Sequence, residues 1–267
     1  MRPFRLSSVS LCALAVLLAL SACGSTPVDA TRDWSPARLL SEAREERDAG
    51  NFERAVRLFE QLEGRAAGTP LAQQAQLDKA HTHYRAGERE QALATLERFQ
   101  RLHPASPALD YALYLKGLVN FHDQLGLLGA LARQDLSERD QQAARESFEA
   151  FRELVTRFPD SRYAPDARDR MRYIINSLAQ SEVHVARYYY VRGAHLAAIN
   201  RAQTALTDFP DTPALEEALY ILVRSYDALG MAQLRDDARR VLQLNFPQST
   251  LLTHGFRRPD DPWWKIW

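Results

Sequence analysis

The chain has 267 residues, and its 34 Lys and Arg balance 34 Asp and Glu, so no bulk attraction for nucleic acid is built in. A hydrophobic fraction of 46% beside 25% charged residues excludes both global disorder and a polytopic membrane protein. Isoleucine occurs only at 174, 175, 199, 221 and 266, while the strong helix formers Ala, Leu, Arg, Glu and Gln dominate, so the chain is predicted to be all-α.

The first element is an address. Arg2 and Arg5 precede the apolar stretch 11–20 and the small residues Ser21, Ala22, Cys23 and Gly24, the layout of a secretory signal over residues 1–22. The apolar run is too short to span a bilayer, which takes about 20 apolar residues. Leu20-Ser21-Ala22-Cys23 resembles the bacterial lipobox; a plain signal cut near Ala22, with Cys23 incidental, is the alternative. Cys12 leaves with the signal, so Cys23 is the only thiol of the mature chain and neither an intramolecular disulfide nor a cysteine zinc site can form. Acylation at Cys23 would anchor the chain to a membrane, with 23–34 as a lipidated linker.

From 35 onward the sequence repeats itself. Leu102-His103-Pro104-Ala105-Ser106, Arg157-Phe158-Pro159-Asp160-Ser161, Asp208-Phe209-Pro210-Asp211-Thr212 and Asn245-Phe246-Pro247-Gln248-Ser249 each close an apolar-periodic run. Proline stops one helix, and the hydroxyl two residues later is expected to cap the next. Between these marks Gly50, Gly87, Gly193 and Gly230 each end a helix. An alanine follows five residues on in the first three copies, and the glycines lie 37 residues apart within each pair. Helix pairs are predicted over about 35–65, 69–103, 105–158, 161–209 and 212–246. The third is stretched by a Gly-broken apolar loop around 123–129, and 161–192 reads as one overlong helix. Each helix carries one apolar stripe, such as Phe52, Ala55, Val56, Phe59 and Leu62. About five helix-turn-helix units of this kind resemble a tetratricopeptide-repeat superhelix.

No catalytic, cofactor or metal constellation is expected. His81 and His83 are two apart, so on a helix they diverge, and acidic pairs such as Glu45-Glu46 read as solvated faces. Binding is the expected occupation of such a solenoid. Tyr188-Tyr189-Tyr190 covers three adjacent helical positions, so one ring must leave the core stripe. The tail 249–267 ends in Trp263, Trp264 and Trp267, which suits a cap on the last repeat, a partner or a membrane interface.

With the lipobox, the strings at 110–118, 139–148, 158–163, 185–194 and 199–201 are similar to the BamD (ComL) family of outer-membrane assembly lipoproteins. Asp140-Gln141 departs from the family's aspartate-proline, and the aromatic tail lies beyond its common core. The resemblance implies a lipid anchor on the periplasmic face of a Gram-negative outer membrane. The protein would promote folding and insertion of β-barrel proteins, with no cofactor and no nucleic acid. Expected partners are the periplasmic domains of the central barrel subunit, accessory assembly lipoproteins and unfolded barrel clients. Residues 35–103 would receive clients and 104–248 would dock on the barrel subunit. A family arginine in contact with that subunit matches Arg201; Asn200, Arg192 and Tyr188 are grouped with it. An extended, aromatic-ended client segment bearing a carboxylate suits the arginines Arg54, Arg57, Arg85 and Arg89 beside Phe52, Phe59, Tyr84 and Phe99. The rival readings are a tetratricopeptide lipoprotein for pilus assembly or cell division and, remotely, a peptidoglycan-cleaving enzyme.

The lipobox makes a direct prediction. Cys23→Ser is expected to leave a soluble or unprocessed protein without acyl label; outer-membrane fractionation and label retained in that variant would refute the assignment.

Overall fold

A computed structural model describes residues 31–121 and 141–256; the signal, Cys23, the 123–129 loop and the tryptophans of the tail lie outside them. The described residues form eleven helices and no strand. In chain order these are α1 (Pro36–Asp48), α2 (Phe52–Arg65), α3 (Pro70–Arg85), α4 (Arg89–Leu102), α5 (Leu109–Asn120), α6 (Gln141–Arg157), α7 (Ala164–Val191), α8 (His195–Asp208), α9 (Leu215–Ala228), α10 (Ala232–Asn245) and the single turn α11 (Leu251–His254). The predicted overlong helix is α7, with 28 residues. Helices pair in sequence order as five hairpins, and none of the described helices is long and apolar enough to cross a membrane.

Four hairpins turn on one device. Gly50, Gly87, Gly193 and Gly230 have φ of 85°, 77°, 75° and 71°. In each copy the next N–H donates back five residues: Asn51 to the Glu46 carbonyl at 2.8 Å, Glu88 to His83 at 2.9 Å, Ala194 to Tyr189 at 3.0 Å and Met231 to Tyr226 at 2.9 Å. This satisfies an otherwise orphaned helix-end carbonyl. A Cβ at any of these four glycines would meet no atom within 4 Å, so the left-handed backbone, rather than lack of space, demands glycine there. The alanines five residues later, Ala55, Ala92 and Ala198, are fully buried and let the paired helices close.

The proline turns depart from expectation. Ser106, Ser161 and Ser249 accept from the N–H two residues on (Ala108 at 3.3 Å, Tyr163 at 3.2 Å, Leu251 at 3.4 Å), closing short turns. The cap positions proper are Ala108, Tyr163 and Thr250, which make no side-chain cap bond. Thr212 instead donates to the Phe209 carbonyl at 3.1 Å. The turn after proline uses one or two further residues before the helix starts, so the hydroxyl sits upstream of the cap. Ser35 does cap a helix, accepting from the Arg38 N–H at 3.2 Å, with Pro36 in the first turn.

The chain divides into two compact units, one through Ala75 and one from Gln76. In the first, Leu39 and Ala43 of α1 meet Leu58, Phe59 and Leu62 of α2 and Ala72 and Ala75 at the start of α3. In the second, Leu77 and Ala80 pack with Leu96 and Phe99 of α4 and Leu109, Ala112 and Leu115 of α5. Phe151 and Leu154 of α6 then join Leu113 to Ile174 and Leu178 of α7. Val183 and Ala186 hand the core on to Ile199, Ala202, Ile221 and Leu222 of α8 and α9. A polar clasp ties α5 to α7: the Tyr114 hydroxyl donates to Asp166 at 2.8 Å, and Arg170 pairs with the same carboxylate at 2.6 Å. Burial, reinforced by the carboxylate it faces, raises the Tyr114 pKa above its ordinary value.

Gly117 sits inside α5, and what it supplies is space. A Cβ there would stand 2.3 Å from the ring of fully buried Phe151, and its carbonyl accepts from Ser147 of α6 at 2.9 Å. Gly117→Ala is therefore expected to destabilise the fold by about 1–3 kcal/mol despite alanine's better helix propensity, as measured by denaturant unfolding. Phe151→Leu in the same chain should recover part of that loss; a stabilised Gly117→Ala protein would contradict the close approach.

Candidate functional site

A concavity lies in the second unit, between α4, α5 and α6. It is a cleft of about 890 Å³ whose walls include Leu93, Glu97, Lys116, Asn120, Gln142 and Arg145. Its charged lining balances four carboxylates (Glu97, Glu146, Glu149, Glu153) against four cations (Lys116, Arg145, Arg152, Arg157). Three cations are already paired: Lys116 with Glu97 at 3.7 Å, Arg152 with Glu149, and Arg157 with Glu153. Arg145 is exposed and, among the described residues, has no carboxylate within ion-pair distance. The cleft thus offers apolar spots at Leu93 and Ala150, exchangeable ion pairs and the Arg145 guanidinium, uncommitted among the described residues.

The predicted client arginines do not gather at one place. Arg54 clamps the first hairpin, pairing with Glu42 at 3.3 Å and Glu46 at 3.0 Å, and Arg57 faces Glu53 at 3.8 Å along α2. Arg85 ends α3 in the second unit. Arg89 alone of the four reaches the cleft wall. Its Nε and Nη2 donate to Asn120 at 3.3 and 2.9 Å, and Nη2 lies 3.8 Å from Glu146. Asn120 is 1% exposed, so Arg89 holds a buried amide in place across three helices. Of the aromatics invoked beside these arginines, Phe59 and Phe99 are fully buried core and Tyr84 is part-exposed. Reasoning from arginines near aromatics overlooked Arg145, Lys116 and Gln142. The signal available was the polar face of α6, where 142, 145, 149, 152 and 156 recur at helical spacing.

The second candidate surface lies where α7 turns into α8. Of the three tyrosines, Tyr189 and Tyr190 pack against the core while Tyr188 is turned out, 52% exposed. The Arg192 guanidinium lies 3.6 Å over the Tyr188 ring, a cation–π pair. Asn200 is exposed on α8. Arg201 is also exposed, as the stripe predicted, but it is not uncommitted: Nη1 donates to Glu182 of α7 at 3.1 Å. The Glu182 side chain is only 9% exposed, so Arg201 supplies the countercharge that a nearly buried carboxylate needs.

The histidines diverge as their spacing requires. His83 Nδ1 lies 2.6 Å from Glu88, whereas His81 stacks on Tyr84 at 6.3 Å. Among the described residues no group of three or more His, Cys, Asp or Glu could hold a metal ion.

The family described as "YfiO: Outer membrane lipoprotein" matches residues 32–242. A protein of Neisseria meningitidis serogroup A named "Outer membrane protein assembly factor BamD" is 49% identical over 94% of this chain and 96% of its own length. Its namesake in Vibrio cholerae serotype O1 is 34% identical over 87% of this chain and 97% of its own. Among solved structures, a Podosopora anserina putative kinesin light chain with TPR-like repeats is 19% identical, with a TM-score of 0.34 over 81% of this chain and 100% of that one.

The Arg201–Glu182 pair changes how a docking role is to be tested. Arg201→Ala strands Glu182 and is expected to lower stability by about 1–2 kcal/mol, between the values of surface and buried pairs because Arg201 is half exposed. Adding Glu182→Gln should restore the melting point, and binding measured in that double variant isolates any contact Arg201 makes with a partner. A single variant as stable as the parent would show that the pair contributes nothing to the fold.

Proposed function

This chain belongs to the YfiO family of outer membrane lipoproteins, and from that premise we propose that it is an outer membrane protein assembly factor of the BamD kind. The observation that carries the reading is 49% identity to a protein so named, extending over nearly the whole of both chains. The lipobox at Cys23 supports attachment to the membrane by acyl chains, with the helical body on the periplasmic side. The expected partners are unfolded barrel proteins, the central barrel subunit and accessory assembly lipoproteins.

The work such a protein does is positioning. Hairpins locked by glycine turns and buried alanines form a stiff frame, so little binding energy is lost in ordering the receptor. The cleft between α4, α5 and α6 is the better client site, and Arg89 acts there by fixing Asn120 and the cleft wall. Arg145 is the group available to a client carboxylate, and the α6 ion pairs can exchange with side chains of an extended strand. The face around Tyr188, Arg192, Asn200 and Arg201 is the docking candidate for the barrel subunit, where a planar guanidinium such as that of Arg192 suits an acidic partner. Neither step makes or breaks a covalent bond.

Crosslinked pull-down from membranes tests the assignment, with the central barrel subunit as the expected capture. For the client site, photocrosslinkers at Leu93 and Gln142 are expected to capture a C-terminal barrel peptide more efficiently than one at Arg57. Arg145→Glu should weaken that peptide about tenfold or more, the scale of a lost charge-assisted hydrogen bond. Equal capture of a scrambled peptide, or capture confined to Arg57, would place clients elsewhere.

A further inference from the structure

The described chain ends in an aromatic socket. The Phe256 ring meets Tyr220 edge-on at 5.0 Å and Tyr190 at 5.7 Å, and the Arg187 guanidinium lies 5.1 Å from its centre. Arg187 is itself held by both carboxylate oxygens of Glu217. Gly255, with φ of 67°, turns the chain into the socket. Phe256 thus fixes the point from which the last eleven residues depart, against α7 and one residue before Val191.

Beside that point lies an exposed apolar surface. Tyr188 is 52% exposed, Val191 70% and Leu196 63%, all around the α7–α8 turn. Arg192 stacks on Tyr188, and among the described residues no carboxylate stands within ion-pair distance of it. After Arg257, Arg258 and Pro259, which span the first step away from the socket, come residues with the complementary chemistry: Asp260 and Asp261, then Trp263, Trp264, Ile266 and Trp267, with Lys265 between them. Eleven extended residues reach about 36–40 Å, so the surface is well within range of both groups.

We propose that residues 257–267 are an intramolecular ligand of this face, with indoles laid over Tyr188, Val191 and Leu196 and the Asp260-Asp261 pair beside Arg192. Tethering at Phe256 makes the encounter intramolecular, so a weak contact suffices to keep the face covered. The cover concerns the chain alone and does not depend on what else the face binds.

The test uses the full mature chain with Cys23→Ser for solubility and Trp34→Phe, so that only tail indoles emit. In dilute solution their emission is expected to be blue-shifted, with quenching by acrylamide several-fold weaker than for the free peptide 257–267. Leu196→Glu and Arg192→Asp should each return both readings to the peptide's values while helicity is unchanged. A photocrosslinker at Leu196 should give an intrachain product with 259–267, and one at Leu244, exposed on α10, should not. Four outcomes overturn the proposal: peptide-like emission in the parent chain, crosslinks that form between copies in proportion to concentration, capture from Leu244 instead of Leu196, or a blue shift that appears only with anionic phospholipid vesicles.

Discussion

Each hairpin must bring two helices close enough to exclude water along a narrow stripe, and small residues at fixed distances from each turn make that possible. Ala55, Ala92 and Ala198 stand five residues after a left-handed glycine and are completely buried. In the third hairpin the same demand is met by Gly117, against which Phe151 packs directly. Once backbones approach this closely, the large apolar residues have defined places. Phe59, Phe99 and Phe151 each fall on the second helix of a hairpin and are fully buried. Within the second unit the core is thus a succession of layers in which each helix shares residues with the next, so damage at one small residue reaches two neighbours.

Polar groups join these layers wherever the apolar stripe runs out. Arg89 with Asn120, Tyr114 with Asp166 and Arg170, Arg187 with Glu217, and Arg201 with Glu182 all connect one helix to another. Basic residues here are almost all arginine, only Lys79, Lys116 and Lys265 being lysines, and arginine suits such joints. A planar fork with several donors satisfies two acceptors at once, as Arg89 does, and lysine's single ammonium would not reproduce it. Several guanidiniums are thus spent on the frame, among them Arg54, Arg89, Arg187 and Arg201. The recognition roles proposed above fall to two that face no carboxylate among the described residues, Arg145 in the cleft and Arg192 at the α7–α8 turn.

The hairpin order, the glycine turns and the long seventh helix were legible because each is written in local sequence with its own physical signature. Gly50, Gly87, Gly193 and Gly230 announce a backbone angle that few other residues accept. The hydroxyls after proline misled by one or two positions, because the length of a turn depends on how the flanking helices pack, which no local motif records. The sites were less legible. Arg54, Arg57 and Arg85 look like Arg89 in sequence, yet only Arg89 reaches the cleft, since its partners Asn120 and Glu146 lie 31 and 57 residues away. Arg201 was correctly read as lying off the core stripe, but its pairing with Glu182 joins two helices and leaves no trace in either one's periodicity.

Stacking and recognition draw on different residues of the same helices, and this separation has a functional consequence. The buried stripe fixes alanine, glycine and phenylalanine at positions that tolerate little change, whereas the outward face of α6 or the α7–α8 turn contributes almost nothing to packing. Charges there are free to be set by partners rather than by the fold. Arg145, which faces no carboxylate among the described residues, can change at little folding cost, and Arg192 gives up only its cation–π contact with Tyr188, whereas Arg89 and Arg201 each hold a buried partner. Under the proposed function, partner choice can therefore shift by substitution at a few exposed cations while the helical frame that presents them stays as it is.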